Sequence, residues 1–350
     1  MEKHQPIDES NTLSASKVKT LENCSWSFWC NYHLKLPQEA AEGTKKGSVC
    51  HWMFEVLLNP RHEAIVTKAI LDDTILNTPS LLCLLKKFVK RIKLPMHDSV
   101  LQHIDQMILV GLKSDFYVKG GTLVSPEYKF DIQNPLFRIK GFIDKPVIKG
   151  KVIYIDDFKS AKQKFKGEDE ESNMQALFYS YAARKIWPNL TPIVRFIFLQ
   201  YPDDPMMIVQ FNDNVLKGFE LYLAEAQKRV NVFNEFTAKS AFAFDVKPYD
   251  GGFNGKLLCG FASYPDQKKK DGTKMWHCPY KFPFSYYVIK KNDKVIKTAF
   301  NESDLPALKT GETKEFLVYS GCPKHRNVLD DMRNEPKQTP KKYTNALDDF

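Results

Sequence analysis

The sequence predicts an α/β chain in which a mixed sheet is flanked by helices, with a helical insertion and a C-terminal cap that carries cysteines. Three observations lead there. Between about residues 127 and 211, strand-like segments rich in Val, Ile and Phe are interleaved with amphipathic helical ones. Residues 62 to 113 read as helix almost throughout. From about residue 240 clean periodicity disappears, and aromatic, Cys and Gly residues take over. At 350 residues, 43% hydrophobic and 27% charged, the chain can bury a sizeable core. That composition excludes a disordered or fibrous class.

The elements follow in order. "SASKVKTLENCSWSFWCNYHLKL" is a helix, with Ser14 or Ser16 as its cap and Val18, Leu21, Cys24 and Phe28 on one face. Pro37 and the loop "QEAAEGTKKG" end that unit, and a second helix begins near Gly47. The insertion contains "HEAIVTKAILDD", "PSLLCLLKKFVKRI" with Pro79 in a first turn, and "DSVLQHIDQMILVGL". "LFRIKGFIDKPVI" and "KVIYIDDF" form a hairpin about Lys149 and Gly150. The helix "EESNMQALFYSYAARKIW", the strands "IVRFIFLQY" and "MMIVQF", and the long helix "DNVLKGFELYLAEAQKRVNVF" complete the core. The tail after "KHRN" is polar and is expected to be mobile. Cys30, Cys50 and Cys83 fall at core positions of the pattern.

The polar opening "MEKHQPIDES" has no apolar stretch of a secretory signal, which predicts a cytoplasmic protein with reduced cysteines. A formal charge of +9 suits an anionic partner such as nucleic acid. The basic run "KKFVKRIK" fits a solvated helix face as well as phosphate contacts.

The stretch "YIDDFKS" concentrates two acids and a lysine at a strand end. With a two-residue turn at Lys149 and Gly150, Asp144 lies opposite Ile155. Asp157 and Lys159 then share its face, and Asp156 points to the other. Asp144 and Asp157 become diagonal neighbours, which repel one another unless a cation intervenes. A hard divalent ion relieves this and activates water for attack on a phosphodiester, with Lys159 orienting that water or neutralising charge.

Five motifs in this order resemble the RecB-like nucleases of the PD-(D/E)XK superfamily, including CRISPR-associated exonucleases and stand-alone phage enzymes. They are the opening helix, "GSVCH" (His51), "GFID" (Asp144), "DDFKS" (Asp157 and Lys159) and "QALFY" (Gln175 and Tyr179). The resemblance implies a restriction-endonuclease-like fold. It also implies Mg2+ or Mn2+ held by His51, Asp144, Asp157 and the Phe158 carbonyl, with Gln175 and Tyr179 supporting the site. DNA is the implied substrate, exonucleolytic hydrolysis in recombination, repair or phage DNA processing the implied reaction, and a separate helicase or recombination protein the implied partner. No matched motif fixes a role for Glu127. Some relatives hold an iron–sulfur cluster through one early and three late cysteines, here Cys24 with Cys259, Cys278 and Cys322. Zinc held by Cys259, Cys278, Cys322 and His325 is the alternative, and plain buried thiols are a third. The expected organisation is a core over 12–239 with its insertion at 60–120, a cap over 240–335, and a flexible tail over 336–350. The rivals are a catalytically silent DNA-holding subunit and a metal-stabilised interaction protein.

Overall fold

The computed structural model describes residues 7–166, 172–243, 259–260 and 262–325. The tail over 336–350 and most of the acidic run near 170 lie outside these. The chain divides into two compact units, Met1–Lys19 with Glu39–Phe233, and Thr20–Gln38 with Asn234–Phe350. Among the described residues no helix is long and apolar enough to cross a membrane.

In the first unit, α1 (Ala15–Asn23) starts where Ser14 Oγ accepts the Lys17 N–H at 3.2 Å. The second unit's short α2 (Ser25–Phe28) follows a break at Cys24, whose extended backbone and sulfur cap the next turn. The expected single opening helix is therefore two. The next helix, α3 (Glu42–Leu57), starts five residues earlier than Gly47. Gly43 and Gly47 look like breakers in sequence, yet Gly47 is buried inside the helix. A Cβ there would lie 2.3 Å from Ser160 Oγ, so the glycine permits close approach rather than a turn.

Helices α4 (Glu63–Leu71), α5 (Pro79–Arg91) and α6 (Asp98–Lys113) form the insertion. Their apolar faces join one core with α3. Met53, Phe54, Leu85, Ile104 and Ile108 pack with Phe158, Ile197 and Leu199 from the sheet. Cys50 is buried there, whereas Cys83 is exposed, because it lies on the solvent face of α5.

The main sheet has the order β1-β4-β5-β6-β7. Its members are β1 (Thr122–Leu123), β4 (Lys145–Lys149), β5 (Val152–Lys159), β6 (Thr191–Phe198) and β7 (Met206–Val209). Only β5 and β6 pair in parallel, bridged by α7 (Met174–Ile186), so the sheet is mixed and flanked by helices as expected. After β7 comes α8 (Asp213–Asn231), which packs against α7. The strands β2 (Tyr128–Gln133) and β3 (Arg138–Ile143) form a separate pair, so the expected first hairpin strand is broken in two at Asp144. The turn also falls one residue later than expected. Lys149 pairs with Val152 and Lys145 with Asp156, which carries the register on to Asp144 opposite Asp157. The shift moves each partner by two residues and so keeps every side chain on its expected face.

The second unit contains α9 (Glu235–Ala238) and a three-stranded antiparallel sheet that the sequence pattern hides. Its strands β8 (Phe284–Lys291), β9 (Lys294–Ala299) and β10 (Glu312–Tyr319) have the order β10-β8-β9. Central β8 buries Tyr286, Val288 and Ile289, which breaks strict alternation. Trp26 donates from Nε1 to Tyr319 Oη at 2.7 Å, and Tyr319 donates to the Tyr280 carbonyl at 2.9 Å. Cys30 is buried beside this chain of bonds.

Candidate metal centre

The end of β5 meets α3 and the residue just before β2 in a cleft of ≈ 790 Å³, lined by Gly47, His51, Glu127, Phe158, Lys159 and Ser160, among others. Because Gly47 lets α3 lie against Ser160, one helical turn later His51 faces the strand end. His51 Nε2 lies 3.0 Å from the Phe158 carbonyl, and Nδ1 lies 3.3 Å from Asp144 Oδ2 and 3.9 Å from Glu127 Oε1. Asp144 Oδ2 also accepts the Phe158 N–H at 3.0 Å.

Asp157 is 2% exposed and sits in a polar web. Its Oδ1 accepts from Gln175 Nε2 at 2.8 Å and from Tyr179 Oη at 2.9 Å. Lys159 Nζ contacts Asp157 Oδ2 at 2.5 Å and donates to Gln175 Oε1 at 2.6 Å. Helix α7 presents Gln175 and Tyr179 one turn apart, and it is started by Asn173, which caps Gln175 and Ala176. The Lys159 ammonium meets Asp157 Oδ2 as an ion pair rather than as a well-aligned hydrogen bond.

Glu127 was not among the residues the motifs assigned. Its backbone has φ of +48°, an unfavourable conformation for a non-glycine residue, and its N–H donates to the Asp144 carbonyl at 2.9 Å. With His51 and Asp144 it forms a set whose ligand atoms lie within 4.8 Å of one another. The available sequence signal was an acid just before the first regular strand, without a spacing rule to fix its reach.

The charges are unbalanced without a cation. Burial, then the Asp157 charge, pushes the Asp144 carboxyl up to about 7. Burial works against a charged His51, but the carboxylates of Glu127, Asp144 and Asp157 outweigh it and hold the imidazolium up to about 9. Burial and the nearby Asp157 push the Tyr179 phenol well above its ordinary range, so it stays a donor. One imidazole, the Glu127 and Asp144 carboxylates and the nearby Phe158 carbonyl make a donor set suited to a divalent ion, with the Asp157–Lys159 pair beside it.

Seven expected residues thus meet here: His51, Asp144, Asp157, Phe158, Lys159, Gln175 and Tyr179. The four singled-out cysteines meet elsewhere. Cys24, Cys259, Cys278 and Cys322 line one cavity of ≈ 250 Å³ in the second unit, together with His325. Burial raises the Cys278 and Cys322 thiols to about 11 and about 12. Four thiols around one void are a soft donor set that fits a thiophilic metal group.

No curated protein matches the chain. Among solved structures, protein VC1899 from Vibrio cholerae aligns at 9% identity with a TM-score of 0.20, over 68% of this chain and 58% of that one. The chain therefore spans less than two thirds of that protein. The profile of the PD-(D/E)XK nuclease superfamily matches residues 12–260, which include every residue of the cleft described above. A five-stranded mixed sheet flanked by helices, with a His/Glu/Asp set at one strand end, accords with that match. This chain belongs to the PD-(D/E)XK nuclease superfamily.

Proposed function

We propose that the chain is a Mg2+- or Mn2+-dependent deoxyribonuclease of the RecB-like kind, acting exonucleolytically on DNA in recombination, repair or phage DNA processing. One observation carries the reading. His51, Glu127 and Phe158 line one cleft, Asp144 lies against His51, and Lys159, also on the cleft, is paired to Asp157.

His51, Asp144, Asp157 and the Phe158 carbonyl would hold the ion, with Glu127 as a further donor. The bound ion would stabilise charge on the phosphodiester and lower the pKa of an attacking water. Lys159 is fixed by Asp157 and Gln175, so its ammonium is preorganised to orient that water and to offset developing charge. Gln175 and Tyr179 position Asp157 by donating to its Oδ1. An imidazole donor suits Mn2+ better than Mg2+.

The cysteine cavity supports a second cofactor, an iron–sulfur cluster held by Cys24, Cys259, Cys278 and Cys322. A single tetrahedral zinc with ~2.3 Å bonds would need its donor atoms about 3.8 Å apart. Among the described residues, the donor set that gathers within 4.8 Å is the one at His51, not one at the cysteines. The wider spacing favours the larger group. Iron and acid-labile sulfide in anaerobically purified protein, with visible absorbance, would support this reading. Stoichiometric zinc without iron would replace it.

The decisive test is cleavage of end-labelled single- and double-stranded DNA with Mn2+ or Mg2+, comparing wild type with Asp157→Ala. Metal-dependent degradation lost in the variant is expected, and its product ladder reads out polarity. Intact DNA with both metals would favour a DNA-holding subunit instead.

A further inference from the structure

Three basic side chains from three different elements lie close together, and one of them, Lys162, lines the cleft. Lys46 lies on α3 five residues before His51, about 7.5 Å along the helix axis and about 140° around it. Its side chain is 13% exposed, and its ammonium lies 3.4 Å from Nδ1 of His103 on α6. An ammonium can only donate, so Nδ1 accepts and the ring proton rests on Nε2. Burial, then the Lys46 and Lys162 charges, keeps the His103 pKa below its ordinary value, which favours this neutral ring. Lys162 is exposed and lines the cleft.

The loop carrying Lys162 is tied down. Gln200 Nε2 donates to the Ser160 carbonyl at 2.6 Å, and Tyr201 Oη donates to the Lys162 carbonyl at 2.8 Å. Gln200 lines both the cleft and a neighbouring groove of ≈ 1140 Å³ that includes His103. That groove also carries Asp73, Asp115 and Asp203, which would repel a polyanion, so a strand reaches the cluster from the side of the cleft, where Lys162 lies. The acid facing the cluster is Glu42, 2.8 Å from Lys46 and itself 60% exposed. The exposed Glu42 carboxylate can swing into solvent and leave the Lys46 ammonium to a phosphate.

We infer that Lys46, Lys162 and the Nε2–H of His103 form a phosphate-binding subsite for the strand, next to the phosphate at the metal centre. The inference rests on the nuclease reading for its substrate, but its test does not require cleavage. Preorganised cations beside the cleft hold the strand in register and act on binding rather than on the chemical step.

The experiment is fluorescence anisotropy of a labelled single-stranded 12-mer DNA, without divalent metal, across 50 to 200 mM salt. Each phosphate contact contributes roughly 0.7 to the slope of log affinity against log salt. The full chain with Lys46→Ala and Lys162→Ala should therefore lose about 1.4 of slope. Between the two salt limits its affinity should fall about sevenfold less than that of wild type. Lys162→Ala alone should lose half of this, and Lys162→Arg should restore it. With Mn2+, the same variants should raise KM and leave kcat within about twofold. Parallel salt slopes for wild type and double variant would overturn the subsite, as would a wild type that does not bind the oligonucleotide. A slope difference without any wild-type cleavage would instead sink the nuclease reading and leave the subsite standing.

Discussion

Asp156 and Asp157 are neighbours on β5, yet they serve opposite ends. Asp156 is fully buried and closed within an ion network. Its two oxygens accept from Arg195 at 2.5 and 2.7 Å, and Lys145, also fully buried, lies 2.5 Å away. The Lys145 ammonium also donates to the Phe116 carbonyl at 2.8 Å. Asp157, on the other face, sits beside Asp144 and has one cation, the Lys159 ammonium, as its ion-pair partner. The pleat of one strand separates a closed ion network, which has no donor left for a ligand, from a more acidic one that can take a divalent cation.

The comparison breaks if both acids respond alike to removal. Asp156→Ala leaves Lys145 and Arg195 buried without their shared carboxylate, a loss of about 3–5 kcal/mol for a buried pair. Urea unfolding should show that loss. Asp157→Asn in metal-free protein should stay within about 1 kcal/mol of wild type, because it removes charge from a crowded set of acids. A stability loss for Asp157→Asn as large as that for Asp156→Ala would mean that both faces are structural.

On the open face, Lys159→Met should lower the rate roughly a hundredfold to a thousandfold, as for the loss of one preorganised donor. Single-turnover cleavage at saturating Mn2+ measures it. A change confined to KM would move Lys159 from the chemical step to binding.

The open face was largely legible in the sequence and the closed face was not. Asp144, Asp157 and Lys159 could be placed on one side of the hairpin from strand parity alone. That placement survived a turn displaced by one residue because parity was unchanged. The Asp156 network was invisible because Arg195 comes from β6 and Asp115 from the end of the insertion, so it depends on tertiary pairing. Glu127 escaped for a related reason, since its reach is set by a positive φ that no motif encodes. The insertion helices were readable from their periodicity, but their fusion with the sheet core through Phe158, Ile197 and Leu199 was not.

The imbalance at the open face also sets a pH dependence that metal should reverse. The folded carboxyl of Asp144 is raised to about 7 and the His51 imidazolium to about 9, above their ordinary values of 3.8 and 6.5. Folded metal-free protein then holds more protons than unfolded chain between roughly pH 4 and pH 9, so these groups make it less stable as pH rises through that window. They titrate as a coupled set. A divalent ion needs the deprotonated donors, so its stabilisation should grow over the same window. Melting temperatures at pH 5, 7 and 9 with and without Mn2+ test this, and a Mn2+ shift that is constant with pH would argue for binding elsewhere.

The smallest expected effect sharpens the comparison most. Tyr179→Phe removes one of two donors to Asp157 Oδ1 and leaves the other, Gln175 Nε2 at 2.8 Å. It leaves the carboxylate charge and the Lys159 contact in place, so about 0.5–1.5 kcal/mol of stability should be lost, the net worth of one hydrogen bond. Activity should fall by a matching factor of a few, because Asp157 is held less firmly rather than removed. Since the phenol titrates well above the working range, its removal should not alter the shape of the pH–rate profile. If the alkaline limb of that profile does shift, Tyr179 is exchanging protons during turnover and is more than a positioning residue.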